Sequence, residues 1–155
     1  MHLLGKVVFV HVTRFSDLGL RLVMRLGVAS PEERLTVGKL AADISASEAH
    51  VAKVVAKLVE LQIARSVRGR HGGIHICEDA FPMGVGTLLR QLEGDGEVIN
   101  CVTPDPCPFV RYDCLLRAKL ADAKEAFYNS LDEITLGELL EDARKRYPVG
   151  ILLKE

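Results

Sequence analysis

The fold is decided by residues 35–61, which read LTVGKLAADISASEAHVAKVVAKLVEL. Apolar residues recur there at helical spacing, which predicts a short helix over residues 37–44 and a longer helix over residues 48–62. Ser47 stands where a hydroxyl group would cap the longer helix. The buried stripe of the longer helix is predicted to consist of Val51, Val54, Val55, Leu58 and Leu61. Two helices joined by a tight turn are therefore expected.

A β-hairpin with a basic tip is predicted directly after these helices. Residues 64–67 and 74–77 are the strand candidates, and RGRHGG at 68–73 is the turn between them. A further helix is predicted upstream over residues 13–27, with Ser16 as its cap. This order is typical of a winged helix-turn-helix, whose second helix enters the major groove of DNA. The predicted fold class is mainly α with a small β-hairpin wing.

The distribution of charge agrees with a DNA-binding half. The net charge of the chain is −1, which by itself predicts no polyanionic partner. Residues 1–75, however, hold 11 basic and 6 acidic residues, whereas residues 76–155 hold 9 and 15. This asymmetry indicates a basic binding half and an acidic half with another task, and chance scatter of surface charge is the alternative.

The candidate DNA contacts are polar or basic side chains of the helix-turn-helix and the wing. They are Thr36, Ser47, His50, Lys53, Lys57, Arg68, Arg70 and His71. Such side chains can donate to phosphates or to base edges, and arginines on a glycine-rich tip suit a narrow minor groove. The alternative is an ordinary helical hairpin followed by a solvated β-hairpin.

The second half of the chain is predicted to be helical around one irregular loop. Helices are expected over residues 81–92, with Pro82 in the first turn, 115–130 and 135–146, and residues 98–101 should be extended. The apolar face of the helix at 115–130 comprises Leu116, Leu120, Ala123, Phe127 and Leu131. This long helix has little else to pack on, so we predict that it is a dimerisation helix. The alternative is that it folds back onto the domain.

The predicted organisation has four parts. Residues 1–12 form an extension without an assigned function, and residues 13–80 form the DNA-binding domain. Residues 81–114 hold a connecting helix and the cysteine loop, and residues 115–155 hold the dimerisation helix and a tail. No apolar run approaches the roughly 20 residues of a membrane helix, so a cytoplasmic protein without a membrane partner is expected.

The loop at residues 101–114, CVTPDPCPFVRYDC, carries Cys101, Cys107 and Cys114. Three soft thiolates suit zinc or an iron–sulfur cluster, and the spacing is too wide for a zinc knuckle. A [4Fe–4S] cluster would need a fourth ligand. Cys77 is a candidate, although a cysteine on an apolar strand is usually a small hydrophobic residue. A disulfide with one free thiol is the remaining alternative.

Several stretches together resemble one family, the bacterial iron–sulfur winged-helix regulators of the IscR and NsrR type. They are RFSDLGLR at 14–21, RGRHGG at 68–73, RQLEG at 90–94, EVINC at 97–101, PCP at 106–108, CLLR at 114–117 and DAKEAFY at 122–128. The resemblance runs from about residue 10 to residue 140. Within the family it is strongest to the members that sense nitric oxide.

The resemblance implies a homodimeric repressor that binds a palindromic operator and loses it when nitric oxide reacts with its cluster. It implies a [4Fe–4S] cluster, with [2Fe–2S] as the alternative, held by Cys101, Cys107, Cys114 and Asp17 of the partner subunit. Members that use a histidine ligand carry it after the third cysteine, and no histidine follows Cys114 here. Six residues separate Cys107 from Cys114 where five are common in the family, so this loop is one residue longer than the family pattern.

Two other functions remain open at this point. One is a regulator of the same family that responds to iron, to cluster supply or to redox state. The other is an iron–sulfur redox or metal-storage protein without specific DNA binding. An enzyme is not expected, because the sequence offers no Ser/His/Asp arrangement, no phosphate-binding glycine loop followed by lysine and no paired carboxylates in an apolar pocket.

Overall fold

A computed structural model describes residues 12–70, 72–102, 106–110 and 113–147. Within these ranges the chain forms six α-helices, a short 3-10 helix and one two-stranded antiparallel sheet. The elements are α1 (Arg14–Gly27), α2 (Val37–Asp43), α3 (Glu48–Glu60), β1 (Ala64–Val67), β2 (Gly73–Ile76), the 3-10 helix (Glu78–Ala80), α4 (Val85–Glu93), α5 (Leu115–Leu131) and α6 (Leu136–Arg146). His71, residues 1–11 of the predicted extension and residues 148–155 of the predicted tail lie outside the described residues.

Helix α1 is the centre of the fold. It packs against α3, α4, α6 and β2, and its apolar stripe, which includes Leu18, Leu22 and Leu26, is buried. The same hydrophobic core includes Leu58 of α3 and Leu140 of α6. The helix-turn-helix and the C-terminal helices therefore share one core.

The helix-turn-helix forms as predicted. Ser47 caps α3 by accepting a hydrogen bond from the His50 N–H, at 3.4 Å. Val51, Val54, Val55 and Leu58 are buried. The helix ends at Glu60 rather than residue 62, because Gln62 has a φ of 59° and leaves the helical conformation. The predicted stripe therefore ends with Leu61 only half-buried.

The hairpin also forms, with β2 one residue earlier than predicted. Ala64 pairs with Ile76 and Val67 with Gly73. Gly69 has a φ of 111°, which a residue with a side chain rarely adopts. A Cβ atom on Gly72 would lie 2.2 Å from the Val67 carbonyl oxygen. The tip therefore requires glycine at these two positions.

The predicted cap of α1 was wrong. Thr13, rather than Ser16, is the capping residue, and its hydroxyl accepts the Ser16 N–H at 3.2 Å. Ser16 is instead fully buried, two residues inside the helix. The Thr13 N–H donates to Glu93 Oε1 at 2.7 Å, so the start of α1 also has a partner at the end of α4.

The predicted start of α4 was also wrong. Residues 81–84 form a turn, and the helix begins at Val85. The reason lies 45 residues downstream, where the Asp132 carboxylate accepts the Thr87 N–H at 2.6 Å and the Thr87 hydroxyl at 3.1 Å. A Cβ on Gly86 would lie 1.9 Å from the Tyr128 carbonyl oxygen, so α4 and α5 approach closely here.

Residues 98–101 bend rather than extend. The Val102 N–H donates to Asn100 Oδ1 at 3.1 Å, the local hydrogen bond by which asparagine favours a turn over a strand. Helix α5 then runs one residue further than predicted, and α6 begins after a Thr135–Glu138 capping box.

Candidate nucleic-acid interface and metal centre

The outer face of α3 presents three of the predicted DNA contacts. Ser47, His50 and Lys53 are exposed, on the side opposite the buried valines. The Ser47 hydroxyl lies 2.7 Å from His50 Nδ1, which restrains the imidazole at the start of the helix. Lys57 is half-buried and pairs with Glu60 at 2.8 Å, so its charge is partly engaged within α3.

The wing presents two more of the predicted contacts. Arg68 and Arg70 are exposed at the tip. Arg65 on β1 is exposed as well and lies opposite His75 on β2, a cation that the sequence argument missed. Strand alternation could have identified it, because successive side chains of a strand point to opposite faces. Within the part of the chain that the structure describes, these arginines have no ion-pair partner.

The wing is tied to the helix-turn-helix through the backbone. The Ile74 N–H donates to the Leu35 carbonyl oxygen at 2.8 Å, and the Cys77 N–H donates to the Ile63 carbonyl oxygen at 2.8 Å. Thr36, which follows Leu35 in the chain, is exposed and caps α2 by accepting the Lys39 N–H at 3.2 Å. The wing and the first helix of the motif are therefore held in one rigid arrangement.

A buried cluster of charges supports α2 from behind. Arg25 of α1 is only 6% exposed and donates to Asp43 at 2.8 Å and to Glu33. Lys39 lies 3.4 Å from Asp43 and 3.6 Å from Glu33. Burial opposes the charge of Arg25, but the hydrogen bonds that it donates to the carboxylates of Glu33 and Asp43 outweigh burial and raise its pKa. The hydrogen bond from Arg25 lowers the pKa of Glu33. No local sequence pattern identifies this cluster, because charge alone does not show which arginine is buried.

The three loop cysteines are free thiols. Cys101 is buried, and its carbonyl oxygen accepts the Cys107 N–H at 2.9 Å. Cys114 is partly exposed at the start of α5, where its side chain makes no capping hydrogen bond. In donor type and in placement along one loop, these residues fit an iron–sulfur cluster.

The predicted ligand set is not assembled within the described part of one chain. Among those residues, no three His, Cys, Asp or Glu side chains are grouped closely enough to hold a metal ion. Asp17, the predicted ligand from the partner subunit, lies in the first turn of α1 and is 42% exposed. Its carboxylate accepts two hydrogen bonds from Arg21 Nε, at 2.9 and 3.0 Å. Residues 103–105 and 111–112 of the loop lie outside the residues that the structure describes.

Cys77 has a structural position. It lies at the base of the wing, partly exposed, and its backbone joins β2 to the segment before β1. It also precedes the 3-10 helix. Its backbone therefore helps to hold the base of the wing, and the alternative that its thiol is the fourth ligand stays a prediction.

The outward-facing helix α3 and the basic wing together define a winged helix-turn-helix transcriptional regulator. The chain belongs to the Rrf2 family, whose description is iron-dependent transcriptional regulator and which matches residues 12–142. This confirms the predicted fold class and the predicted resemblance.

Similar proteins carry names from the same family. The chain is 39% identical over 130 residues to the HTH-type transcriptional repressor NsrR of Streptomyces coelicolor, covering 83% of this chain and 87% of that protein. It is 34% identical over 146 residues to the HTH-type transcriptional regulator NsrR of Geobacillus kaustophilus, covering 93% and 97%. These relatives are regulators, in agreement with the prediction that the chain is not an enzyme.

Solved structures support the fold. T. potens IscR superposes with a TM-score of 0.67 at 22% identity, covering 88% of this chain and 90% of that one. CymR, the global cysteine regulator of B. subtilis, superposes with a TM-score of 0.63 at 20% identity, covering 86% and 98%. Among the described residues, no helix has the length and apolar character needed to cross a membrane.

Proposed function

We propose that this protein is a homodimeric DNA-binding repressor that senses nitric oxide through a [4Fe–4S] cluster. The observation that carries the proposal is the pairing of two features in one chain. One is an exposed polar and basic face on α3 and the wing. The other is a loop of three free cysteines in front of α5. The similarity to repressors named NsrR supports the choice of nitric oxide as the signal.

The DNA contacts in this proposal follow from the fold. Helix α3 enters the major groove with Ser47, His50 and Lys53, and the wing places Arg68 and Arg70 against the adjacent backbone or minor groove. Thr36, Lys57 and His71 are proposed to contact phosphates at the edges of this surface. A dimer with a two-fold axis would read a palindromic operator.

Helix α5 supports the proposed dimer. Its C-terminal half packs on α4 through the buried ring of Tyr128. Its N-terminal half instead exposes Leu115 by 74% and Leu116 by 63%. Large apolar side chains exposed side by side favour burial against another surface, and we propose that a second copy of the chain supplies it.

The proposed cluster ligands are Cys101, Cys107, Cys114 and Asp17 of the partner subunit. When bound, the cluster supplies iron that reacts with nitric oxide. A carboxylate is a hard ligand on a soft centre, so Asp17 is the ligand that leaves most readily. Arg21, whose Nε donates to both carboxylate oxygens of Asp17, would offer Asp17 an alternative partner if it left the cluster.

The start of α1 connects the cluster to the DNA-binding surface. Asp17 lies in the first turn of α1, and Thr13 at its cap is bonded to Glu93, from which the chain continues to Cys101. A change at Asp17 would therefore act on α1, against which α3 packs. The proposal requires that α1 have two arrangements, one with Asp17 bound to the cluster and one with it released.

The test begins with anaerobic purification, iron and sulfide analysis and Mössbauer spectroscopy, which separate [4Fe–4S] from [2Fe–2S]. An operator is then selected from random-sequence DNA by the cluster-bound protein. We expect selective binding that weakens with salt. Failure to select any sequence would contradict the DNA-binding proposal and favour a redox or storage protein.

Asp17→Ala tests the fourth ligand. We expect an altered cluster spectrum and a weakened response of DNA binding to nitric oxide, while Cys77→Ser leaves both unchanged. An unchanged spectrum and response in Asp17→Ala would refute the assignment.

One other function has specific support. The family is described as an iron-dependent regulator, which favours a response to iron or cluster supply through the same ligands. Exposure of the cluster-bound protein to nitric oxide, to oxygen and to an iron chelator in separate samples distinguishes the signals. The nitric oxide proposal requires that nitric oxide release DNA at a concentration stoichiometric with the cluster.

A further inference from the structure

The segment that leads into the cysteine loop lies along one face of α5. Arg117 Nε donates to Glu97 Oε2 at 3.1 Å, and a second nitrogen of the guanidinium contacts Oε1. Lys124 donates to the Gly96 carbonyl oxygen, and Glu125 pairs with Arg90 of α4 at 2.8 Å. Positions 124 and 125 lie seven and eight residues after position 117, about two helical turns along, and so lie on the same side of the helix.

The first of these contacts spans the base of the cysteine loop. Glu97 lies four residues before Cys101, and Arg117 lies three residues after Cys114. The chain between Glu97 and Arg117 therefore contains all three proposed thiol ligands, and the ion pair joins its two ends. An arginine–carboxylate pair with two hydrogen bonds fixes orientation as well as distance.

Arg117 also lies near one of the proposed ligands. It lines the same open depression as Cys114, together with Asp113, Leu115 and Ala118. The hydrogen bond to Glu97 raises the pKa of Arg117. The ion pair at the base of the loop is thus continuous with the surface that carries its last cysteine.

We propose that Arg117 and Glu97 form a clasp that positions Cys101 and Cys114 for a shared ligand before any cluster binds. The clasp is a positioning device and touches no iron. It rests on the proposed ligand role of the two cysteines, but it concerns the cluster-free chain. Bringing three thiols of a flexible loop to one ligand costs conformational entropy. The cost is smaller when the two ends of the loop are already joined.

The test measures thiol proximity without iron. In a background with Cys77→Ser and Cys107→Ser, only Cys101 and Cys114 remain, and a trivalent arsenical binds tightly only where two thiols lie close together. The variants are Arg117→Glu, Glu97→Arg and the double exchange of both. The matched control is Lys145→Glu, which breaks the exposed pair of Lys145 with Glu141 on α6.

Each single exchange should weaken arsenical binding by about fivefold, the upper range for an exposed ion pair, and the double exchange should restore it. Lys145→Glu should have no effect. Circular dichroism and the urea midpoint check that every variant is folded, and Arg117→Lys should give an intermediate loss. Single exchanges that equal the control, or a double exchange as impaired as the singles, would overturn the clasp.

A second measurement uses the full-cysteine protein after anaerobic reconstitution with iron and sulfide. The rate of iron loss to a chelator should rise about fivefold in each single exchange and return in the double exchange. If the wild type takes up no cluster while the arsenical pattern holds, the proposed function fails and the clasp stands. If the cluster forms normally but the arsenical pattern is flat, the clasp fails alone.

Discussion

The helix-turn-helix with its wing and the cysteine region with α5 hold their functional residues in different ways. The exposed face of α3 is fixed by Val51, Val54 and Leu58 beneath it, which have no solvent exposure. The loop and the first half of α5 have exposed ion pairs instead, and Leu115 and Leu116 face solvent. The DNA-binding surface is thus preformed in one chain. The cysteine region has the character of a surface that a second copy and a cluster would complete.

The two regions also differ in where their charges lie. Arg25 is buried among Glu33, Asp43 and Lys39, so its pairs are protected from solvent. Arg117 and Glu97 are about two-fifths exposed, and such pairs respond strongly to salt. The net charge of −1 over the chain therefore averages a basic half, which holds the buried Arg25 cluster, and an acidic half, which holds the exposed Arg117–Glu97 pair.

The largest effect is expected from the loop thiols. Cys107→Ser should abolish cluster uptake almost completely, because a soft ligand is lost from a three-thiol loop. Bound iron and visible absorbance after anaerobic reconstitution measure it, and Cys77→Ser is the control. Retention of the cluster in Cys107→Ser, with its loss in Cys77→Ser, would reverse the assignment.

The same substitution in the two regions should have opposite consequences. Leu58→Ala should lower the free energy of unfolding by about 2–5 kcal/mol, because it leaves a cavity in the core. Leu116→Ala should change the free energy of unfolding of one chain little and should weaken dimerisation instead. Urea unfolding and sedimentation equilibrium separate the two effects. An unaltered dimer in Leu116→Ala would argue against α5 as the dimerisation helix.

The buried charge cluster should make the DNA-binding half sensitive to acid. The pKa of Glu33 is lowered from 4.5, so the pairing stabilises the fold above that value and the stabilisation is lost as the pH falls through the lowered pKa. Glu33→Gln should cost about 1–3 kcal/mol at neutral pH, since Arg25 loses a charged partner. Urea unfolding at a series of pH values should show a smaller acid-dependent loss in Glu33→Gln than in the wild type. Parallel pH curves would refute this.

The smallest effect is expected at the wing. Arg70→Ala should weaken DNA binding modestly and reduce the slope of log affinity against log salt by about 1, as for one lost phosphate contact. The matched control is Arg146→Ala, which removes an arginine that pairs with Asp142 on α6. Fluorescence anisotropy at several salt concentrations measures both. Equal slopes for the two variants would place the wing outside the DNA contact.

Local patterns in the sequence were sufficient for the elements of the first half. The Ser47 cap, the buried stripe of α3 and the glycine-rich turn each depend on residues a few positions apart. The start of α4 could not be predicted in this way, because Asp132 caps it from 45 residues away. The link between Thr13 and Glu93 and the burial of Arg25 likewise depend on tertiary contacts.

For the candidate site, the sequence predicted which types of residue are involved better than it predicted which side chains contact each other. The cysteine loop and the basic residues follow from composition and spacing. Five of the predicted DNA contacts are exposed, namely Ser47, His50, Lys53, Arg68 and Arg70, and their contact with DNA stays a prediction. Arg65 and the Arg117–Glu97 pair were missed. Arg65 lies opposite His75 only once the two strands pair, and Arg117 reaches Glu97 only once the loop folds. No short sequence motif encodes either contact.

The most direct test follows operator binding by the cluster-bound dimer during anaerobic titration with nitric oxide. Fluorescence anisotropy of labelled operator DNA reports binding, and the absorbance of the same sample reports the cluster. The proposal predicts that DNA is released in step with the loss of the cluster signal, and that Cys107→Ser shows no nitric oxide response. Binding that persists after the cluster signal has disappeared would contradict it.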